Sequence, residues 1–287
     1  MTSPTAARSD LSPDVAPTAS TPHEAPHAIA AMGTMPPDIA ATAGALLDRL
    51  RQERPRVHAI TNAAAQVFTA NLLLAAGATP SLTVAPDEVA DFTGRAGALL
   101  VNLGTLDADR RAAIPRAIAT ARTAGIPWVL DPVFVDSSPP RLDLARLCLA
   151  GSPAVLRCNA AEFASLSGRA ASDEALRDFA SAHGTVAALT GAIDRVAGGT
   201  RAVAIANGHP LMTRVTAMGC AATALVAAFA GLGADPFDAA ASALLVVGIA
   251  GEVAAETARG PGTFQPAFLD ALHHLDASAI AARARLT

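Results

Sequence analysis

From Pro37 onward the chain alternates short, unbroken apolar runs with longer stretches in which apolar residues recur every three to four positions. Over 38–52, Ile39, Ala43, Leu46, Leu47 and Leu50 share one side of a helical period, which predicts an amphipathic helix. Residues 57–60 read as a strand running out into Thr61 and Asn62, and 63–76 as a helix stopped by Gly77. Further strands are expected at 80–84, 98–102, 128–130, 154–157 and 185–189, with a helix over 107–124 closed by Gly125. Val196 and 201–206 around Gly198 and Gly199 read as a hairpin. From Cys220 the pattern is helical, over 220–230, 237–257 and 268–275. Strands alternating with helices predict an α/β fold with a mostly parallel central sheet and helices on both faces.

In such sheets ligands bind beyond the carboxyl ends of the strands. The residues expected there are Asn62, Asn102, Asp131, Arg157, Asn159, Glu162 and Thr190. Two carboxylates, an arginine, amides and a hydroxyl suit magnesium and phosphate, because hard cations take oxygen ligands and Arg grips phosphate with two N–H groups. Structural alternatives stand beside each. Asn159 to Glu162 has capping-box spacing, Asp131-Pro132 can simply end a strand, and Thr190-Gly191 can be an ordinary strand exit.

A second candidate is 207–231, a polar loop (Asn207-Gly208-His209-Pro210) followed by a small-residue turn, Ala217-Met218-Gly219-Cys220, that opens into an apolar helix. Free N–H groups at a helix start attract phosphate or a developing anion. Cys220 falls in that first turn, where the same field favours a thiolate; the alternative is a buried Cys packed as a small hydrophobe. His209 reads as a loop residue satisfied by backbone more readily than as a catalyst.

Composition narrows the chemistry. All 21 basic residues are Arg, so a Walker P-loop and Schiff-base or pyridoxal-phosphate chemistry are excluded. Net charge is −4, which argues against nucleic-acid binding. Cys148, Cys158 and Cys220 are far apart and lack metal or disulfide spacing, which fits a reducing cytoplasm. Residues 1–36, rich in Ala, Pro, Ser and Thr, read as a disordered extension without a secretory h-region, and 37–287 as one domain. The Ala-rich helices approach the length of a membrane span, but interleaved polar residues mark them as core helices, and no membrane association is expected.

The segments VHAITN (57–62), FTANLLLAAGATP (68–80), ALLVNLGTL (98–106), LDPV (130–133), NAAEF (159–163), ALTGAIDRV (188–196), NGHPLMTRVT (207–216) and GPGTF (260–264), in this order, resemble the hydroxyethylthiazole kinase family of the ribokinase-like fold. The resemblance implies transfer of the ATP γ-phosphoryl group to the hydroxyl of 4-methyl-5-(2-hydroxyethyl)thiazole in thiamine salvage, with ATP and Mg²⁺. It places Cys220 beside the attacking hydroxyl, with Gly219 and the Cys220 N–H in the anion hole. Asp131 and Glu162 would handle Mg²⁺, Arg157 and Thr190 the nucleotide, and Asn62, Leu82 and Ala217 would fall at the thiazole pocket. It also implies a homotrimer with sites between subunits. The chain departs from the family pattern at Ala217 and Phe134, where glycines are usual, at Leu82 for Met, and at Cys158 for Gly. Those departures predict a reshaped pocket and crowding on the nucleotide side.

Overall fold

A computed structural model describes residues 38–287; the extension expected over 1–36 lies outside the described residues. Helix α1 (Ile39–Glu53) forms as its periodicity predicts. Asp38 caps it by accepting the N–H groups of Ala40 and Ala41, and the apolar stripe from Ile39 to Leu50 is buried. Then come β1 (Arg56–Ile60), α2 (Gln66–Ala76), β2 (Thr79–Ser81), α3 (Val89–Gly94), β3 (Ala98–Asn102), α4 (Ala108–Ala124), β4 (Trp128–Asp131), α5 (Pro139–Leu149), β5 (Val155–Asn159), α6 (Ala160–Ser167), α7 (Asp173–His183) and β6 (Val186–Thr190). The hairpin β7 (Asp194–Gly198) and β8 (Arg201–Ile205) follows, with a 3₁₀ turn at Pro210–Arg214. Helices α8 (Met218–Ala230), α9 (Pro236–Thr257), α10 (Pro261–His274) and α11 (Ala277–Arg283) complete the chain.

The strands form one sheet in the order β2-β1-β3-β4-β5-β6-β7-β8. The first six are parallel, and β7 and β8 run antiparallel. Continuous apolar runs suit strands covered on both faces. In β3, Ala98 and Leu100 join the core beneath α1, α2, α8, α9 and α10, while Leu99 and Val101 join the opposite core with α4, α5 and α7. Helix α9 is long and apolar enough to cross a membrane, and it lies mostly buried inside the molecule.

The structure shortens two expected elements. Residues 63–65 form a turn, so α2 starts at Gln66 without a side-chain cap. The strand expected over 80–84 is three residues long, at the sheet edge, where Pro80 has no N–H to give. Helix α8 begins two residues early, at Met218, which places Gly219 and Cys220 inside its first turn. Helices α3, α5, α7 and α11 have no counterpart among the expected elements, α6 follows the capping-box alternative at Asn159, and α10 begins at Pro261, seven residues ahead of the helix expected over 268–275. At the far edge, Leu286 bridges to Ile205, and Ala204 and Thr287 exchange N–H···O bonds of 2.8 and 3.0 Å.

Because β2 and β3 lie on opposite sides of β1, the connection reverses direction there and a crevice opens at the carboxyl ends of β1 and β3.

Candidate active site

That crevice holds a chain of buried polar groups. The Asn62 amide donates to Asn102 Oδ1 (3.1 Å) and to the Cys220 Sγ (3.2 Å). Asn102 in turn donates to Asp131 Oδ2 (2.9 Å), which also accepts the hydroxyl of Thr223 (2.7 Å). Three successive strands and the first turns of α8 are thereby tied together. Gly104 is required here, since a Cβ on it would lie 2.5 Å from that of Asn62. Burial raises the Asp131 carboxyl above its ordinary range, offset in part by Arg157 and by its bonds from Thr223 and Asn102.

At Cys220 the same geometry decides for the neutral thiol over the thiolate. Burial pushes its thiol up to about 11, and the nearby Asp131 adds to the rise, so the field of the helix start does not yield a thiolate. Its partner amides from Asn102 and Asn62 offset only part of this.

Arg157 is the cation of the site. Its guanidinium lies against Gly219, where a Cβ would fall 3.1 Å from Nη1 and 3.4 Å from Nη2. Gly219 thus permits the approach of Arg157 to the start of α8. Arg157 Nε is buried with no partner among the described residues. At that helix start Ala221 is the first N–H taken, by the Ala217 carbonyl (2.9 Å), leaving those of Met218, Gly219 and Cys220 outside the helical ladder. Unpaired N–H groups and an unpartnered guanidinium converging on one spot suit an anion.

Glu162 serves the capping box anticipated as its structural alternative: Asn159 accepts the N–H groups of Ala161 and Glu162, and Glu162 accepts that of Asn159 (2.9 Å). Its other oxygen accepts the N–H of Phe134 (3.0 Å). Burial raises its carboxyl, opposed by those two N–H groups, and the Asp131 charge raises it further. Among the described residues no group of three His, Cys, Asp or Glu side chains gathers as a metal cluster.

The departures from the glycine pattern resolve by backbone conformation. Ala217 has φ 67° and Phe134 φ 59°, the left-handed region that glycine enters freely. Phe134 is 60% exposed and does not line the cleft beside Arg157. Cys158 does not line the cleft beside Arg157. It alternates with Arg157 along β5 and is buried in the opposite core, with Leu156 and Phe163. Leu82 is half-buried beyond β2 and packs on the core under α8 and α9.

Beside Arg157 a cleft of about 590 Å³ opens, lined among others by Thr190, Asp194, Asn207, Met212, Gly219 and Val247. Thr190 donates to the Cys158 carbonyl (3.3 Å) at the end of β6. Asn62, Asp131, Leu82 and Cys220 do not line the cleft, so Arg157 and Gly219 stand between it and the crevice. Sequence reasoning missed Thr223 and Asp194. Thr223 was detectable as a polar residue one turn after Gly219 in an otherwise apolar helix. Asp194 caps the β6–β7 turn through the Gly191 N–H (2.9 Å), and burial raises its carboxyl against the opposing effects of that N–H and Arg157.

An eight-stranded, largely parallel sheet with helices on both faces and the start of a long helix beyond the strand ends is the ribokinase-like architecture. A ribokinase-like protein from Enterococcus faecalis superposes with a TM-score of 0.61 at 13% identity over 77% of this chain and 88% of its own, a likeness of fold. The hydroxyethylthiazole kinase family model matches residues 47–278, and the chain belongs to that family. It is 46% identical over 247 residues to a probable hydroxyethylthiazole kinase of Agrobacterium fabrum, covering 86% of this chain and 95% of the relative. The hydroxyethylthiazole kinase structure from Pyrococcus horikoshii has a TM-score of 0.82 at 35% identity, covering 85% and 98%.

Proposed function

We propose that the cleft binds the phosphates and base of ATP and that the Asn62–Cys220 crevice holds the hydroxyl of hydroxyethylthiazole. The enzyme phosphorylates that hydroxyl, a reaction of thiamine salvage. The observation that carries the assignment of roles is Arg157, with its buried, unpartnered Nε, set against the unpaired N–H groups of α8. In the transfer, an O–P bond forms to the thiazole hydroxyl as the bond from the γ-phosphorus to the β–γ bridging oxygen breaks; the hydroxyl proton passes to an oxygen of the transferred phosphoryl group, and ADP leaves. Arg157 and the N–H groups of Gly219 and Cys220 stabilise the charge on the moving phosphoryl oxygens. Cys220, as a neutral thiol, orients the hydroxyl with Asn62. A strong base is dispensable where the transition state is loose. Thr190 sits at the nucleotide side and Leu82 and Ala217 at the thiazole side in this reading.

Asp131 and Glu162 fit a Mg²⁺ ion. Their donors are all oxygens, both hydrogen bonds to Asp131 fall on Oδ2, and the Asp131 charge raises the Glu162 carboxyl, a repulsion that a cation relieves. Mg²⁺ held there would supply charge neutralisation on the phosphates. We also take 37–287 as one kinase domain acting in the cytoplasm as a homotrimer. Support for assembly is α2, whose Val67 and Leu74 are 75% and 57% exposed on one face.

The test is a mass-resolved assay for thiazole phosphate with Mg-ATP. Product from the purified chain is expected, and Asp131→Asn should lower kcat by about 100-fold or more without unfolding. Folded protein that binds the thiazole and makes no product, or that phosphorylates only another small alcohol, refutes the reading. A monomer by sedimentation removes the trimer.

A further inference from the structure

We propose that Gly248, Gly251 and Glu252 of α9 form a seat that sets the position of the Asn207–Met212 loop, and through it the affinity for nucleotide. Gly251 and Glu252 are positioning residues, Gly248 also lines the cleft directly, and the proposal rests on the reading of the cleft as the nucleotide site. The loop is one wall of that cleft, to which it contributes Asn207, Gly208, His209, Pro210 and Met212. It has little regular structure beyond the 3₁₀ turn, so its position depends on what it rests on.

It rests on a stretch of α9 without side-chain bulk. A Cβ on Gly248 would fall 2.7 Å from the Asn207 carbonyl oxygen and 2.8 Å from both its carbonyl carbon and its Cβ. Those atoms are backbone or next to it, and cannot swing aside. One turn on, a Cβ on Gly251 would lie 2.5 Å from the Met212 Sδ. The neighbouring Glu252 then ties the loop down. Its carboxylate accepts the Gly208 N–H (2.7 Å) and the Asn207 amide (3.2 Å to each oxygen).

The far side of the loop is held by the C-terminal segment. Asn207 gives its amide to the Arg283 carbonyl (2.9 Å) and takes the Arg285 N–H on Oδ1 (2.8 Å). The Arg285 guanidinium pairs with Glu252 and donates to the Ala206 carbonyl (2.8 Å). Asn207 is thereby buried between α9 and residues 283–285 with every polar side-chain atom engaged. None of the seat residues belongs to the Asn62–Cys220–Asp131 chain, so the seat acts on one substrate's site alone.

The experiment is steady-state kinetics of the full chain, with ATP and thiazole varied separately, for Gly248→Ala, Glu252→Ala, Glu252→Gln and Arg157→Ala. Ångström-scale displacement of a binding wall predicts a rise of about tenfold in KM for ATP in Gly248→Ala and Glu252→Ala. The KM for thiazole and kcat should stay within about twofold. Glu252→Gln should recover part of the ATP affinity, because its amide oxygen still accepts the Gly208 N–H while its amide nitrogen faces the donors of Asn207 and Arg285. If Gly248→Ala does not fold, by circular dichroism, the two Glu252 variants decide. A parallel rise in both KM values, a fall in kcat alone, or Gln no better than Ala overturns the proposal. Arg157→Ala separates the two levels. If it leaves the KM for ATP unchanged, the cleft is not the nucleotide site and the proposal falls with that reading; if it raises that KM while the seat variants do not, only the seat is wrong.

Discussion

Ala217 stands in the left-handed region at φ 67°, ψ 3°, as the N-cap of α8 and without a side-chain capping bond. For a residue with a Cβ that conformation costs about 1–2 kcal/mol relative to glycine. Glycine gives back about 0.4–1 kcal/mol through the added freedom of the unfolded chain. Ala217→Gly should therefore stabilise the protein by roughly 0.5–1 kcal/mol. For a domain of this size the melting temperature then rises by about 1–4 °C. Gly125 calibrates the argument, having φ 67° with nothing within 4 Å of an added Cβ. Gly125→Ala isolates the same conformational cost with the opposite sign, and should lower the melting temperature by a similar amount. Calorimetry on both variants and the parent at one scan rate measures the pair. If both variants are less stable than the parent, the Ala217 methyl is worth more in packing than its backbone costs, and the reasoning is refuted.

Other consequences concern titration. With its thiol pushed up to about 11, the half-buried Cys220 should resist iodoacetamide at pH 8 in the folded protein and react readily once denatured; fast alkylation of the native chain, located by peptide mass, would contradict that rise. Stability from keeping that thiol neutral is fully present below the ordinary value of 9.0 and is lost as pH rises toward 11, so Cys220→Ala should flatten urea-unfolding stability between those limits. His58, buried in β1 with Nδ1 3.0 Å from the Ser81 hydroxyl, is lowered from 6.5 to about 4, chiefly by burial. Its contribution is present above 6.5 and lost as pH falls toward 4, on the order of 3 kcal/mol at most. His58→Gln should weaken the acid dependence in that window, and an unchanged slope would remove His58 as its source.

The strands were legible because a parallel sheet buries both faces, so β3, β4 and β6 appear as unbroken apolar runs ending at polar residues, and β1 and β5 as apolar runs interrupted once, by His58 and by Arg157. Those endings delivered Asn62, Asn102, Asp131, Arg157 and Thr190 to one side of the sheet. Helix α7 was also written in the chain, with Ser172 as cap, Asp173 and Glu174 in the first turn, Leu176, Phe179 and Ala180 buried, and Gly184 as stop. It went unread beside the stronger strand signals. The protonation of Cys220 was legible only as a choice between a thiolate and a buried thiol. A local rule favours the thiolate at a helix start, whereas the outcome depends on burial among Asn62, Asn102 and Asp131, drawn from three separate strands. The fate of Phe134 and Ala217 likewise turned on φ, which residue identity alone does not declare.

The two margins of the sheet have a consequence for how copies of this protein meet. One margin is a three-residue strand interrupted by Pro80, and the other is already paired with residues 286 and 287. Neither offers the row of open backbone groups on which a further strand is templated. Runaway strand-by-strand polymerisation is thus blocked at both margins, and association is left to the helical faces, such as the Val67–Leu74 side of α2. Contacts between helices of defined shape can close into a finite ring, and solubility at high concentration then depends on surface side chains that selection can adjust without touching the sheet.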